Sequence, residues 1–397
     1  MIGMRELFLR HVAQTSDAPL LLEVVRAQGI YLFDTHDRPY IDLISGIGVS
    51  NLGHHQPEII KAIQEQSEKF MHLMVYGEFI HQPQVALSKL ITSILPATLN
   101  QVFLVNSGTE ATEGAIKLSK RYTGRPGIIS FKNAYHGSTN GALSLMGDEY
   151  FKNAYRPLLP ASRQIRFNNV EDLRSINEHT AAVFTEIIKA EEGVILPQPG
   201  YLKKLRERCN DTGTLLVADE IQTAMGRTGR MFAFEEEGIV PDILLLAKAF
   251  GGGMPIGAFI ADQKIMSVFK NDPILGHLTT FGGHPVCAAA AHKAVEITIR
   301  DMNAFEVERK ESYFKARLKH ICIREVRSRG LMIAVELMDA KTVQNVVRHC
   351  MEAGLIIDWF LFAPHCLRIA PPLIIKPIEI DQACDIILAA LDKCLIK

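Results

Sequence analysis

The sequence predicts an α/β fold, with a large domain built on a mostly parallel sheet and a smaller α+β domain. Five short apolar runs alternate with helical segments between about residues 84 and 290; they lie at 102–105, 127–131, 181–184, 215–218 and 243–247. Strands that are covered by helices on both faces have this continuous apolar character. Their alternation with helices is typical of a parallel sheet.

The N-terminal elements follow from local patterns. We expect a helix from about residue 5, followed by short strands up to about residue 45, because Gly29 and the turn-forming segment 34–39 indicate a hairpin. Apolar residues at helical spacing predict a further helix over 57–72.

The C-terminal part changes character after about residue 290. A long helical stretch is expected over 285–318, strands at 332–337 and 367–370, and a final helix from about 378 to 395. This mixture indicates a small α+β domain that also holds the N-terminal strands. The predicted division is therefore 1–50 for the N-terminal segment of the small domain, 51–290 for the large domain, and 291–397 for the C-terminal part of the small domain.

Bulk composition excludes several classes of protein. The 397 residues include 43 basic and 44 acidic side chains, so charge gives no support for binding to nucleic acid or an anionic membrane. No apolar run approaches the roughly 18 residues of a membrane span, and no histidine or cysteine spacing indicates a metal site. The seven cysteines include no CxxC pair, and the first residues show no signal-peptide pattern. These two features predict a reduced, cytoplasmic protein.

Lys248 is the first candidate functional residue. It ends the apolar run 243–247 and precedes Gly251–Gly253, so a buried strand is expected to deliver its amine into a glycine-lined space. Burial lowers the pKa of a lysine and leaves a neutral amine that can attack a carbonyl. Asp219 ends the preceding apolar run, where a plain helix cap is an equally good reading. Together the two residues match a pyridine-aldehyde cofactor, which needs an amine for its aldehyde and a carboxylate for its ring nitrogen.

Three further stretches are candidate ligand sites, each with a structural alternative. Ser107, Gly108 and Thr109 follow a strand and open a helix, a pattern that binds a phosphate or simply caps the helix. The hydroxyl-rich loop at 279–283 contacts a phosphate or forms an ordinary turn. Arg368 stands among apolar residues and therefore binds a substrate carboxylate or an internal acid.

The sequence also bears on aromatic stacking and on competing cofactors. Phe131 ends a strand and is either a stacking platform for a planar ring or, more simply, a core residue. The sequence has no GxGxxG or GxxxxGK[ST] pattern, which weakens nicotinamide and nucleoside-triphosphate binding. It also lacks GxSxG, which weakens a serine hydrolase.

Taken in order, five stretches resemble the class III aminotransferases. They are Ser107-Gly108-Thr109-Glu110-Ala111, Tyr135-His136-Gly137, Asp219-Glu220-Ile221-Gln222, Lys248 and Thr280-Phe281-Gly282-Gly283. Those proteins are pyridoxal 5'-phosphate enzymes of the aspartate aminotransferase fold (fold type I). The resemblance covers nearly the whole chain and is nearest to the acetylornithine and ornithine aminotransferase branch. It implies that 51–290 binds the cofactor, and that an amino group moves from an ω-amino acid or (acetyl)ornithine-like donor to a 2-oxo acid such as 2-oxoglutarate.

The resemblance also implies roles for individual residues. Lys248 would bond the cofactor and shuttle a proton between Cα and C4′, and Asp219 would keep the pyridine nitrogen protonated. The other cofactor-binding residues would be Ser107, Gly108 and Thr109 at the phosphate, Tyr135 on the ring face, Gln222 at the phenolic oxygen, and Thr280 at the phosphate of the neighbouring subunit. The last role implies a homodimer with shared active sites.

On the substrate side, the resemblance implies that Arg368 binds a carboxylate and that Glu191 covers it when an amine-ended substrate is bound. Thr279, beside Thr280, and Tyr76 are expected on the same side. Two positions depart from the branch. Ser138 replaces the arginine that binds the substrate α-carboxylate, so the sequence does not imply ornithine-type specificity. Lys189 replaces a glutamine between two retained acids.

Other readings remain open at this point. A racemase, aminomutase or decarboxylase on the same fold would share Lys248 and Asp219 and would differ in needing no 2-oxo acid acceptor. A non-catalytic binding protein is the other alternative, although the intact lysine–aspartate pair argues against it. A nicotinamide dehydrogenase is the least supported.

Overall fold

The computed structural model describes residues 3–75 and 77–395. Its strands are β1 Val24–Gln28, β2 Tyr31–Asp34, β3 Pro39–Asp42, β4 Gln101–Val105, β5 Gly127–Phe131, β6 Ser162–Ile165, β7 Thr180–Glu186, β8 Leu215–Asp219, β9 Ile243–Leu246, β10 Gly257–Ala261, β11 Glu325–Arg329, β12 Met332–Glu336, β13 Leu355–Ile356, β14 Asp358–Trp359 and β15 Cys366–Ile369.

Its α-helices are α1 Met4–His11, α2 Ser45–Gly48, α3 Pro57–Lys69, α4 Gln82–Ser93, α5 Gly108–Thr123, α6 Asn140–Leu145, α7 Tyr201–Thr212, α8 Phe234–Glu237, α9 Gln263–Met266, α10 Pro285–Asp301, α11 Val307–Arg317, α12 Ala340–Glu352 and α13 Pro377–Leu395. Short 3-10 turns occupy Glu149–Phe151, Asn153–Tyr155, Glu171–Ser175, Lys248–Gly251, Ser267–Lys270 and Met302–Phe305.

A seven-stranded sheet forms the centre of the molecule, in the order β4-β10-β9-β8-β7-β5-β6. Along β8, Leu216 and Ala218 face one hydrophobic cluster, and Leu215 and Val217 face another on the opposite side. Alternate residues of a strand point to opposite faces, so this sheet is covered on both sides. The predicted α/β class with a large, mostly parallel sheet is confirmed.

The strand β10 was not predicted. It lies between β4 and β9 and runs antiparallel to both, whereas the remaining pairs of this sheet are parallel. The sequence just before it, Gly251–Gly253, indicates a loop, and β10 itself has no local feature that reveals its direction. Pairing with two remote strands determines it.

Two four-stranded sheets lie beside the central one. The sheet β1-β2-β3-β13 joins the N-terminal strands to the C-terminal part, because β3 pairs in parallel with β13. The sheet β11-β12-β15-β14 is antiparallel throughout. These pairings agree with the expected link between 1–50 and 291–397, although the domain boundaries themselves stay predictions.

The helical stretch expected over 285–318 is interrupted. Helix α10 ends at Asp301, and α11 begins at Val307 after a 3-10 turn. Glu306 has a left-handed backbone (φ 46°), and the flanking Phe305 and Val307 are both buried in the core of the C-terminal part. The chain turns here because both neighbours pack inward, which a period of 3.6 residues does not reveal.

None of the helices in the described part of the chain has the length and apolar character that a membrane crossing needs. Tyr76, which the resemblance assigns to the substrate side, lies outside the described residues.

Candidate active site

Loops at the carboxyl ends of neighbouring strands converge on one cavity of about 540 Å³. Asp219 ends β8, Lys248 follows β9 after the single residue Ala247, and α5 opens just beyond β4. Parallel strands end at the same edge of a sheet, which is where ligands bind in folds of this kind. The predicted residues that line the cavity are Ser107, Gly108, Thr109, Tyr135, Ser138, Glu191, Asp219, Gln222 and Lys248.

Lys248 reaches this cavity from a strained stretch of backbone. Its φ of 49° lies in the left-handed region, which is uncommon for a residue other than glycine and is typical of functional sites. Burial lowers the pKa of Lys248, and the carboxylates of Glu191 and Asp219 partly oppose that effect. The amine is therefore easier to deprotonate than a surface lysine, as a nucleophile must be.

Asp219 is held by a histidine that the sequence reasoning did not assign. His136 Nδ1 lies 2.7 Å from Asp219 Oδ2 and donates to it, since a carboxylate only accepts. The His136 side chain is fully buried, and the other carboxylate oxygen, Oδ1, accepts from the Ile221 N–H at 3.0 Å. The carboxylate thus has a fixed position. The only sequence signal for His136 was its place beside Tyr135.

Glu186 is a second residue that the sequence reasoning left without a role. It ends β7 directly opposite Asp219 in the sheet register. It accepts the backbone N–H of Tyr135 at 3.1 Å and that of Ala190 at 2.8 Å, so it supports both loops that flank the cavity. Burial raises the pKa of Glu186 to about 7.

The start of α5 forms a compact cradle at the other end of the cavity. A helix leaves its first N–H groups without intrahelical partners, and they suit an anion. Gly137 has a φ of 126°, and a Cβ there would lie 2.3 Å from Thr109 Oγ1. A Cβ on Gly108 would lie 2.8 Å from the Ile221 side chain. Ser107 Oγ also accepts the Glu110 N–H at 3.3 Å, so capping and an anion cradle coexist here.

The wall also carries uncharged hydroxyl and amide groups. Tyr135 Oη and Ser138 Oγ are 3.1 Å apart. Gln222 Nε2 donates to Glu191 Oε1 at 3.3 Å. Lys189 is buried, and its ammonium donates hydrogen bonds to the Glu192 carboxylate and the Lys132 carbonyl. Its charge is therefore paired within the protein.

Arg368 lies behind Glu191 and forms a bidentate ion pair with it. Its Nη1 and Nη2 each donate to one Glu191 carboxylate oxygen at 3.0 Å. Burial acts to raise the pKa of Glu191, but Arg368 and, more weakly, Lys248 hold it below its usual range. A charged carboxylate therefore forms the cavity wall, with the guanidinium directly behind it.

Four candidate residues do not line this cavity in the described structure. Arg368 is separated from it by Glu191. Thr279 lines a neighbouring cavity of about 610 Å³ and accepts from Asn106 Nδ2 at 2.9 Å, and Thr280 is exposed. Phe131, considered as a stacking platform, is 1% exposed and packs edge-on against Phe167. It is a core residue.

These groups together fit pyridoxal phosphate. Lys248 offers an amine for the aldehyde, the fixed Asp219 carboxylate suits a protonated pyridine nitrogen, and the glycine-lined start of α5 suits the phosphate. Gly108 and Gly137 both lie where a Cβ would fill the cradle.

Comparisons with known proteins show what the chain is similar to along most of its length. The profile of the family described as aminotransferase class-III matches residues 12–391. The chain is 36% identical over 376 residues to the acetylornithine aminotransferase of Methanopyrus kandleri, covering 94% of each protein. It is 36% identical over 372 residues to that of Bacillus cereus, covering 92% of this chain and 94% of the relative.

Solved structures of aminotransferases also superpose closely on this chain. The ornithine aminotransferase of Toxoplasma gondii, described with pyridoxal phosphate at partial occupancy in its active site, superposes with a TM-score of 0.90 at 29% identity, over 98% of this chain and 93% of that one. The adenosylmethionine-8-amino-7-oxononanoate aminotransferase of Methanocaldococcus jannaschii superposes with a TM-score of 0.92 at 27% identity, over 98% of each chain.

Proposed function

The chain belongs to the class III aminotransferase family and is a pyridoxal-phosphate-dependent aminotransferase; from this premise we propose which residues carry the reaction and which substrates they take. Bound pyridoxal phosphate supplies an aldehyde that accepts the amino group and a ring that withdraws electrons from the substrate Cα. All other steps belong to side chains of the protein.

Lys248 and Asp219 are the two catalytic residues of this proposal. Lys248 would hold the cofactor through its Nζ and, as a general base, would take the proton from the substrate Cα. Asp219 would hold the ring nitrogen of the cofactor and stabilise its protonated form. The 2.7 Å hydrogen bond from His136 supports that carboxylate from behind. Ser107, Gly108 and Thr109 would hold the phosphate, Tyr135 the ring face, and Gln222 the phenolic oxygen.

The observation that carries the substrate proposal is the Glu191–Arg368 pair in the cavity wall. With Glu191 in place, the wall presents a carboxylate, which suits an amine-bearing or neutral donor. With Glu191 displaced, it presents a guanidinium, which suits the carboxylate of 2-oxoglutarate. The donor is therefore an ω-amino acid or an (acetyl)ornithine-like compound. Ser138 lines the cavity and would contact the donor through its hydroxyl group, whereas Thr279 lines the neighbouring cavity and would reach a donor only across the proposed dimer interface.

The test is an absorbance titration of purified protein with pyridoxal phosphate bound. N-acetylornithine, ornithine, lysine, 4-aminobutyrate and β-alanine are added singly. We expect one donor to bleach the yellow band of the cofactor and 2-oxoglutarate to restore it. Lys248→Ala should abolish multiple turnover, and Lys204→Ala, which removes an exposed lysine, is the matched control. A Lys248→Ala enzyme that keeps turning over would contradict the assignment.

The enzyme is further proposed to act as a homodimer with shared active sites. Large apolar side chains are exposed around Thr279 and Thr280, among them Phe79 and Phe281, and Ile80 is 93% exposed. Exposed apolar patches mark protein–protein contacts. A second copy would cover this surface, and Thr280 would reach the cofactor phosphate of that copy.

The mass in solution tests the dimer. Ile80→Asp places a charge in the proposed interface and should produce monomers with weakened cofactor binding. Ile321→Asp is the matched control, because Ile321 is similarly exposed (86%) but lies outside this surface. A monomeric wild-type enzyme of full activity would refute the shared site.

We also propose a cytoplasmic location, because six cysteines are buried thiols, as in proteins of reducing compartments.

A further inference from the structure

We infer that Asp358 is a specificity-determining residue, a second carboxylate fixed beside Arg368 that selects donors with a cationic distal group over substrates with a distal carboxylate. This inference rests on the proposed function, since it concerns the substrate end of the same site. It adds a residue to the Glu191–Arg368 pair and a charge preference to the donor.

Sheet register fixes Asp358 next to the guanidinium. Asp358 on β14 is directly opposite Arg368 on β15 in an antiparallel pair. Its Oδ1 lies 3.2 Å from Arg368 Nε, and the neighbouring Trp359 carbonyl accepts from Nη2 at 2.8 Å. Opposite charges at directly paired positions attract across a sheet. Glu191, in contrast, lies in the loop that follows β7.

The two acids therefore differ in what they can do. Glu191 lines the cavity and accepts from the terminal nitrogens Nη1 and Nη2 of Arg368, so a substrate carboxylate can take its place. Asp358 lies on the Nε side, with its backbone paired to β15, and it does not line the cavity, so an entering substrate carboxylate meets Glu191 and not Asp358. Arg368 is never without a carboxylate partner.

The net charge around Arg368 determines which distal group of a donor binds better. With both acids ionised, two carboxylates and one guanidinium give this end of the cavity a net negative charge. A distal ammonium on the donor would neutralise it, whereas a distal carboxylate would have to displace Glu191 from Arg368 and would leave the net negative charge in place. At an effective dielectric constant of about 20, unit charges within several ångströms interact strongly enough to change binding about tenfold or more.

The surroundings of Asp358 reinforce this preference and make it depend on pH. The groups that face it are Arg368, Glu191 and Asp42, and Asp42 in turn contacts His54 Nε2 at 2.8 Å. Burial raises the pKa of Asp358 to about 6, against the attraction of Arg368, with Glu191 and Asp42 adding to the increase. In the described structure, Asp358 Oδ1 lies 3.2 Å from Arg368 Nε but without hydrogen-bond geometry, so it accepts no hydrogen bond. Below about pH 6 a neutral Asp358 would oppose a distal carboxylate less.

The experiment compares two donors of matched length that differ only at the distal end, 1,4-diaminobutane and 4-aminobutyrate. The kcat/KM ratio of diamine to amino acid is measured for the wild type, Asp358→Asn and Asp358→Glu. Asp211→Asn, an exposed carboxylate elsewhere, is the control. We expect Asp358→Asn to lower the ratio about tenfold, mainly through KM, and Asp358→Glu to restore most of it. The wild-type KM for 2-oxoglutarate should fall between about pH 7.5 and about pH 5.5, and that of Asp358→Asn should change less.

The outcomes separate this inference from the proposed function. If no donor bleaches the cofactor of the wild type, the proposed function itself fails. If the wild type transaminates but Asp358→Asn leaves both the ratio and the pH dependence unchanged, the role of Asp358 is refuted. If Asp358→Asn does not hold the cofactor, the wild-type pH series decides, and a diamine to amino-acid ratio that is constant with pH overturns the inference.

Discussion

Replacing Glu220 by glutamine should stabilise the protein at high pH and leave it unchanged at low pH. Glu220 follows β8 and is 1% exposed. One carboxyl oxygen accepts the Phe234 N–H at 2.7 Å and the other is hydrogen-bonded to the Thr223 hydroxyl. A glutamine keeps this shape, because its amide can donate to Thr223 while its carbonyl accepts from Phe234.

The magnitude follows from the pKa of this carboxyl. Burial raises the pKa of Glu220 to about 7, from an ordinary value of 4.5. Between these two values the folded protein binds a proton that the unfolded chain has released, so the free energy of unfolding falls as pH rises through this window. The full loss above about pH 7 is about 3 kcal/mol, at about 1.4 kcal/mol for each pKa unit.

Urea unfolding at fixed protein and cofactor concentrations, from about pH 5 to about pH 8, measures this difference. The variant and the wild type should coincide near pH 5 and separate progressively, with Glu220→Gln more stable by up to about 3 kcal/mol near pH 8. Glu186 has a similarly raised pKa, but it is present in both proteins and cancels in the comparison.

Glu207→Gln is the control, since Glu207 is exposed on α7 and its replacement should move neither end of the series. A Glu220→Gln protein that is destabilised equally at all pH values would refute the reasoning, because it would show that the ionised carboxylate is the better partner for Thr223 and Phe234.

Three further predictions concern packing and the catalytic carboxylate. His136→Ala should leave cofactor binding intact but slow the single-turnover half-reaction about 10- to 100-fold, because Asp219 loses a charge-assisted hydrogen bond; an unchanged rate would refute this. Gly114→Ala should lower the free energy of unfolding by about 1–3 kcal/mol, and with it the thermal midpoint, since its Cβ would lie 2.3 Å from the Phe259 ring. Arg227→Met should cost about 3–5 kcal/mol in urea unfolding, because the buried guanidinium donates to four oxygens from remote segments.

The sequence by itself determined the features that depend on short segments. The apolar runs before Asp219 and Lys248 predicted β8 and β9, which end at or just before those residues. The small residues after β4 predicted the start of α5 at Gly108. Such patterns are local, because strand and helix periodicity and capping act within one or two turns of chain. The alternation of apolar runs with helices predicted the fold class, and the resemblance of the motifs to the class III aminotransferases implied the cofactor and the reaction type.

The tertiary structure alone decided what brings remote residues together. The family resemblance implied the pairing of Arg368 with Glu191, 177 positions apart, but Asp358 joins them only because β14 pairs with β15. The insertion of β10 between β4 and β9, the hydrogen bond from His136 to Asp219, and the exclusion of Thr280 from its own cavity have the same origin. A spacing along the chain contains no information about a distance across a sheet, since strand order and side-chain packing set that distance.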